Sequence, residues 1–198
     1  MKNDKAYFIQ RLGAFLIDII IIGLVSTIVT LPFQSKSVDK LSNQSIEIMQ
    51  SYINQEINAN TYMNQSIDIT YQIAKLTGLS TVITVTLYVL YFIVLQYYMN
   101  GQTLGKRILK IKIVKKDDTD LSMNDLVIRN VINNSILCNT IVAILALVNK
   151  NTYFYGSAII QFIQYSIIII SLFMIIIRKD GRSIPDFIAS TKVIKLEE

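Results

Sequence analysis

Apolar residues in this chain gather into four blocks instead of alternating with polar ones. The blocks cover about residues 8–31, 79–99, 126–148 and 157–177. Each is long enough, at ~1.5 Å per helical residue, to cross a hydrocarbon core of ~30 Å. The pattern predicts an all-α membrane protein, a bundle of four transmembrane helices. Pro32 stops the first block, and Tyr97 and Tyr98 close the second. The third is the most polar, carrying Arg129, Asn130, Asn133, Asn134 and Asn139, so its first turns fit the interface as well as the core. The fourth ends at Arg178 and Lys179. A cleaved signal peptide is not expected, because the first apolar run is too long, holds Asp18 and precedes no A-x-A site.

The connecting segments follow other patterns. Residues 34–76 are rich in Asn, Gln and Ser, with isoleucines at Ile46, Ile53, Ile57 and Ile67. The steps from Ile46 to Ile53 to Ile57 fit a short amphipathic helix; a disordered loop is the competing reading. Ile111-Lys112-Ile113-Val114 and Thr191-Lys192-Val193-Ile194-Lys195 alternate apolar and basic positions, as short strands do, and are placed to pair on the cytoplasmic face. An acidic turn, Asp117 to Asp120, follows the first of them. Ser122, with Asp125 three positions on, reads as a capping box that opens the third helix.

Charge sets the orientation. Of 198 residues 52% are hydrophobic and 17% charged, against roughly a quarter charged in a soluble domain, so the whole of 1–198 is expected to be one membrane domain. The net charge of +5 would suit nucleic acid only on a basic folded face, and no soluble segment is long enough to offer one. Fifteen of the nineteen Lys and Arg lie in the N-terminal segment (Lys2, Lys5, Arg11), the stretch 100–129 and the tail 178–198. Lys36, Lys40, Lys75 and Lys150 make up the rest. Basic residues collect on the cytoplasmic side. The expected protein is thus multi-pass in the cell membrane, with both termini, the loop 100–125 and the tail inside and the loop 34–76 outside. Its inner loops would meet anionic lipid headgroups.

Histidine is absent and Cys138 is the one cysteine. This removes a disulfide framework, a Cys/His zinc site and histidine-activated nucleophiles. No metal, cofactor or enzymatic activity is expected, and Cys138 reads as a small buried hydrophobe.

Asp18 is the strongest chemical clue. It lies about ten residues into a span, where a charge costs at least ~2.5 kcal/mol, so it should face the bundle interior and have a partner. Arg11, two helical turns earlier on the same face, is the expected partner, across about 10 Å along the axis. The pair reads either as an ion or proton site or as a buried contact holding the bundle. Arg129 with Asn133, and Asn130 with Asn134, form a polar stripe; Gln161, Gln164, Ser80, Thr84 and Tyr88 extend it to other spans. Such stripes bridge helices in lipid or line a wet path. The run Gly101-Gln102-Thr103-Leu104-Gly105-Lys106-Arg107 looks like a phosphate loop, but the glycines are too close together and Arg107 stands where Ser or Thr is needed. It reads as a basic anchor. Asp186 is expected at the inner membrane surface beside Lys106, Arg107 or Arg129.

Gln10-Arg11-Leu12-Gly13 through Asp18, then Gly101 through Leu109 with Ile111–Val114, then Ile184-Pro185-Asp186 through Ile194 together resemble the RDD family of membrane proteins. The arginine and two aspartates that name the family map onto Arg11, Asp18 and Asp186. Gly101, Thr103, Gly105, Lys106, Arg107 and Arg129 are the supporting positions. The chain departs from the pattern at Pro185, where His or a similar residue is usual, and at Ser190, where glycine is usual. The resemblance implies an architecture more than an activity: some members are linked to sodium–proton exchange, others to assembling or regulating partner membrane proteins. Two functions are therefore expected. One is a small cation or proton-coupled transporter, acting as a homo-oligomer, with Asp18 as the titrating group and Arg11 tuning it. The other is a non-catalytic accessory protein that binds a partner membrane protein.

Overall fold

The computed structural model describes residues 5–196, so Lys2 lies outside the described part. The protein is mostly helical. Helix α1, Phe8–Thr30, runs into a 3-10 turn, Leu31–Phe33, with Pro32 in its first turn. Helices α2, Lys36–Ile53, and α3, Ala59–Leu76, form a hairpin; α4, Gly78–Val89, continues through a π-helical turn, Leu90–Leu95, into α5, Gln96–Tyr98. Next come α6, Leu104–Ile108, strand β1, Ile111–Lys115, α7, Met123–Asn133, and α8, Ile136–Leu145. The long α9, Lys150–Ile177, leads to the short α10, Ile184–Ile188, and strand β2, Thr191–Lys195.

Among the described residues, three helical stretches are long and apolar enough to cross a membrane: Phe8–Phe33, Gly78–Tyr98 and Lys150–Ile177. The third apolar block differs from expectation. It is broken into α7 and α8, which meet at 61° and make a fourth crossing if taken as one span. Ser135, at the break, has φ 56° and so cannot continue a right-handed helix.

Residues 34–76 also differ from both expected forms, the single short helix and the disordered loop. They form two helices, started by side-chain caps in which Ser35 accepts from the Ser37 N–H and Asn58 from the Thr61 N–H. Ile57 lies in the connection, not on a helix face shared with Ile46 and Ile53. Tyr52 stacks on Tyr62 with ring centroids 4.7 Å apart, and Lys150 pairs with Asp68 to tie the hairpin to α9.

β1 and β2 pair antiparallel, Ile113 opposite Val193 and Ile111 opposite Lys195. Ala6 adds a backbone bond to the Val193 carbonyl at 3.1 Å. The inner face of this ribbon, Ile111, Ile113 and Val193, packs with Ala6, Ala14, Ile93, Leu126 and Ile136. The ribbon thereby clamps the start of α1 to the end of the chain.

Candidate functional site at the two aspartates

Asp18 is buried on the inner face of α1 with Ala14 and Ile22. Its carboxylate accepts from the Tyr91 hydroxyl at 2.6 Å, the Thr103 hydroxyl at 2.5 Å and the Gly105 N–H at 2.8 Å. Lys106 Nζ stands 3.9 Å from Oδ2, with its side chain 13% exposed. Every partner comes from residues 91–106. Thr103 also caps α6, accepting from the Lys106 N–H, so one hydroxyl starts this helix and binds the carboxylate.

Two glycines make the approach. A Cβ at Gly105 would overlap the Ala14 carbonyl and crowd Asp18, so only glycine lets α6 lie this close to α1. Gly101, at φ 86°, donates to the Gln96 carbonyl and accepts from the Ile113 N–H, turning the chain from α5 toward β1.

Asp186 is the centre of a second network. Arg11 Nη1 reaches its Oδ2 at 3.1 Å and Arg129 Nε its Oδ1 at 2.7 Å. The Ser183 hydroxyl and N–H donate to Oδ2, completing a capping box for α10, and the Thr191 hydroxyl donates to Oδ1 at 3.3 Å. Burial works to raise this carboxyl, but the charges and hydrogen bonds of Arg129 and Arg11 hold it below the usual carboxylate range. Pro185 sits in the first turn of α10, where no helical N–H bond is lost. Ser190 has φ 52°, the left-handed conformation that glycine adopts most easily.

The expected pairing of Arg11 with Asp18 is therefore replaced. Arg11 turns to Asp186 and to the Val193 carbonyl, and Asp18 to Lys106 and three uncharged donors. The cause is distance: a partner two turns away along α1 loses to groups brought directly opposite by tertiary packing. Of the three cations expected beside Asp186, Arg129 pairs with it, Lys106 belongs to Asp18, and Arg107 is exposed. Tyr91, Ser183 and Thr191 were not singled out from sequence. Tyr91 did carry a signal, since a hydroxyl in the middle of an apolar span needs a partner, and Ser183 stands three positions before Asp186 as capping boxes require.

The polar stripe bridges helices. Asn130 Nδ2 donates to the Phe92 carbonyl at 2.7 Å, inside the π-turn where backbone groups leave the regular ladder, and Asn134 donates to Asn130. Gln164 is buried but Gln161 is exposed. Cys138 is half-buried, not buried, and its thiol donates to Gln164 Oε1 at 3.0 Å.

Both networks border a cavity of about 160 Å³. Arg11, Asp18, Lys106, Arg129 and Asp186 contribute to one wall, and Ile167, Ile168, Leu172 and Ile175 of α9 to the other. Lys106 is strongly disturbed here. Desolvation lowers it first and repulsion from Arg129 and Arg11 adds to this; Asp18 and Asp186 oppose, and the result is about 7. No group of three or more His, Cys, Asp or Glu side chains placed to hold a metal occurs among the described residues.

The model of the RDD family matches residues 5–190. An uncharacterised protein of Bacillus subtilis (strain 168), YckC, is 31% identical over 104 residues, 52% of this chain and 54% of that relative. The match thus spans about half the length of that curated relative. No solved structure matches the chain.

Proposed function

The chain belongs to the RDD family, and from that premise we propose a cell-membrane protein that crosses the bilayer four times and couples solute movement to a proton held at Lys106 and Asp18. In this reading α7 and α8 act as one broken span, both ends lie in the cytoplasm, and the α2–α3 hairpin lies outside. The positive-inside distribution supports this orientation.

One observation carries the transport reading: an ammonium and a carboxylate, Lys106 and Asp18, stand 3.9 Å apart in the wall of one cavity. With Lys106 near 7, its proton is exchangeable at neutral pH, as a coupling group requires. The expected roles of the residues shift accordingly. Asp18 accepts three fixed hydrogen bonds, which orient its carboxylate toward Lys106. A bare metal cation fits poorly, because three cations face two carboxylates around the cavity.

Proteoliposomes of the pure protein with a pH dye inside test this. Adding sodium, potassium or organic-anion salts outside should produce a pH change for at least one salt, absent from empty vesicles and from Lys106→Met. Equal fluxes in wild type and Lys106→Met would end the reading.

A second reading, an accessory protein for a partner membrane protein, is favoured by the α2–α3 hairpin. Its exposed Ile46, Met49, Ile53 and Met63 give a partner apolar contacts. It expects folded Asp18→Asn to keep its function.

A further inference from the structure

The cavity is chemically two-sided. With Lys106 protonated, Arg11, Lys106 and Arg129 against Asp18 and Asp186 leave one positive charge in excess. Arg129 is 6% exposed, yet its Nη1 is buried without a hydrogen-bond partner, and so is Nε of Arg11. Ser171, which faces these groups from α9, likewise keeps an unpartnered buried hydroxyl. Buried donors without a partner are destabilising, so an acceptor in the cavity would relieve them.

The other side is apolar and open. Phe15, Ile168 and Leu172 line the cavity and are also 43%, 38% and 38% exposed on the flank of the bundle. They belong to α1 and α9, which pack mainly on other elements, α1 on α6 and α4, α9 on α8, α3 and α10. The cavity therefore opens sideways between two spans, where the surroundings are lipid. Arg11 is in the first turn of α1, ~4.5 Å from its start, so the cationic end lies near headgroup depth. A volume of about 160 Å³ is close to that which takes one benzene ring, enough for an oxyanion head and the first methylenes but not for a chain.

We infer that this cavity receives the oxyanion headgroup of an anionic amphiphile, which enters between α1 and α9 and leaves its chain in the bilayer. Basic pockets between spans bind lipid headgroups in this way. The anion meets Arg11, Arg129 and Lys106, and Ser171 supplies a hydroxyl from the opposite wall. This names the solute class of the transport reading and rests on that reading's choice of cavity.

The test is equilibrium binding of ³²P-dodecyl phosphate to the pure full chain in a neutral maltoside detergent. Saturable binding is expected, with dodecanol and inorganic phosphate competing at least a hundredfold less well. Arg129→Gln should weaken binding at least tenfold. Because that variant breaks a buried ion pair, Ser171→Leu is the second probe: it keeps all five charged groups, narrows the cavity, and should also weaken binding at least tenfold. Equal competition by inorganic phosphate would mean a free-anion site, equal competition by dodecanol an apolar void, and unchanged affinity in folded Ser171→Leu binding elsewhere; each overturns the inference. Binding without proton flux in vesicles would sink the transport reading alone, and flux without binding would sink the amphiphile alone.

Discussion

Arg11 Nη1 lies 3.1 Å from Asp186 Oδ2, although 175 positions separate the two residues. Asp18, on the same helix as Arg11, makes its contacts with residues 91–106 instead. The two aspartates are therefore separate fastenings, one joining α1 to α6 and the other joining α1 and α7 to α10.

This separation is measurable. Asp186→Ala leaves two buried guanidinium groups without their carboxylate and should cost about 3–5 kcal/mol. Paired with Arg129→Met the loss should be clearly less than the sum of the single losses, whereas Arg11→Gln paired with Asp18→Asn should be nearly additive. Denaturation of the pure protein in detergent gives the cycle. Additivity in the first pair, or strong coupling in the second, would refute the assignment.

Gly105 and Gly23 make a second comparison. At Gly23, within α1, an added Cβ meets nothing within 4 Å, so Gly23→Ala should stabilise by about 0.5–1 kcal/mol through helix propensity. At Gly105 the same methyl would strike the Ala14 carbonyl and Asp18. Gly105→Ala should lower the melting temperature markedly and weaken the α1–α6 contact. A Gly105→Ala protein as stable as Gly23→Ala would show that the close approach is not required.

Lys106 predicts a pH dependence with a definite sign. Its folded value is about 7 and its ordinary one 10.5. Between these the unfolded chain holds more protons than the folded one, so the contribution to stability rises with pH over this window and stays flat below it. Melting temperatures from about pH 7 to 10 should rise less, or fall more, in Lys106→Met than in wild type. Identical pH profiles would contradict the buried position of the ammonium.

Orientation is tested by labelling. In a Cys138→Ser background, Ser45→Cys should react with an impermeant maleimide on intact cells, and Thr119→Cys only after lysis. The opposite pattern would invert the topology.

Three of the apolar runs were legible as spans because they are continuous, Asp18 and Arg11 because charges in or beside such a run need a reason, and Asp186 through the family resemblance. Who pairs with whom was not legible. Periodicity reports neighbours within one helix, which favoured Arg11 for Asp18, whereas the partners of Asp18 lie 73 to 88 positions away and are chosen by packing. The break at Ser135 was hidden because Asn130, Asn133 and Asn134 read as a helix entering the interface. The α2–α3 hairpin was blurred because its polar faces are satisfied by water; the caps at Ser35 and Asn58 were the better signal than the isoleucine spacing. The alternating segments at Ile111 and Thr191 read as strands and pair in the structure, since alternation marks a ribbon with one covered face.

The distance along the chain between Arg11 and Asp186 also imposes a schedule. At about 5–20 residues per second of synthesis, Asp186 emerges roughly 9 to 35 s after Arg11, and Thr103 and Lys106 emerge well before it. The first span must therefore enter the membrane with its arginine and aspartate both unmatched. The Asp18 fastening can form midway through translation, but the Asp186 fastening waits for the last segment. A ribosome that stalls before residue 186 leaves a nascent chain in which Arg11 and Arg129 lack the carboxylate they share.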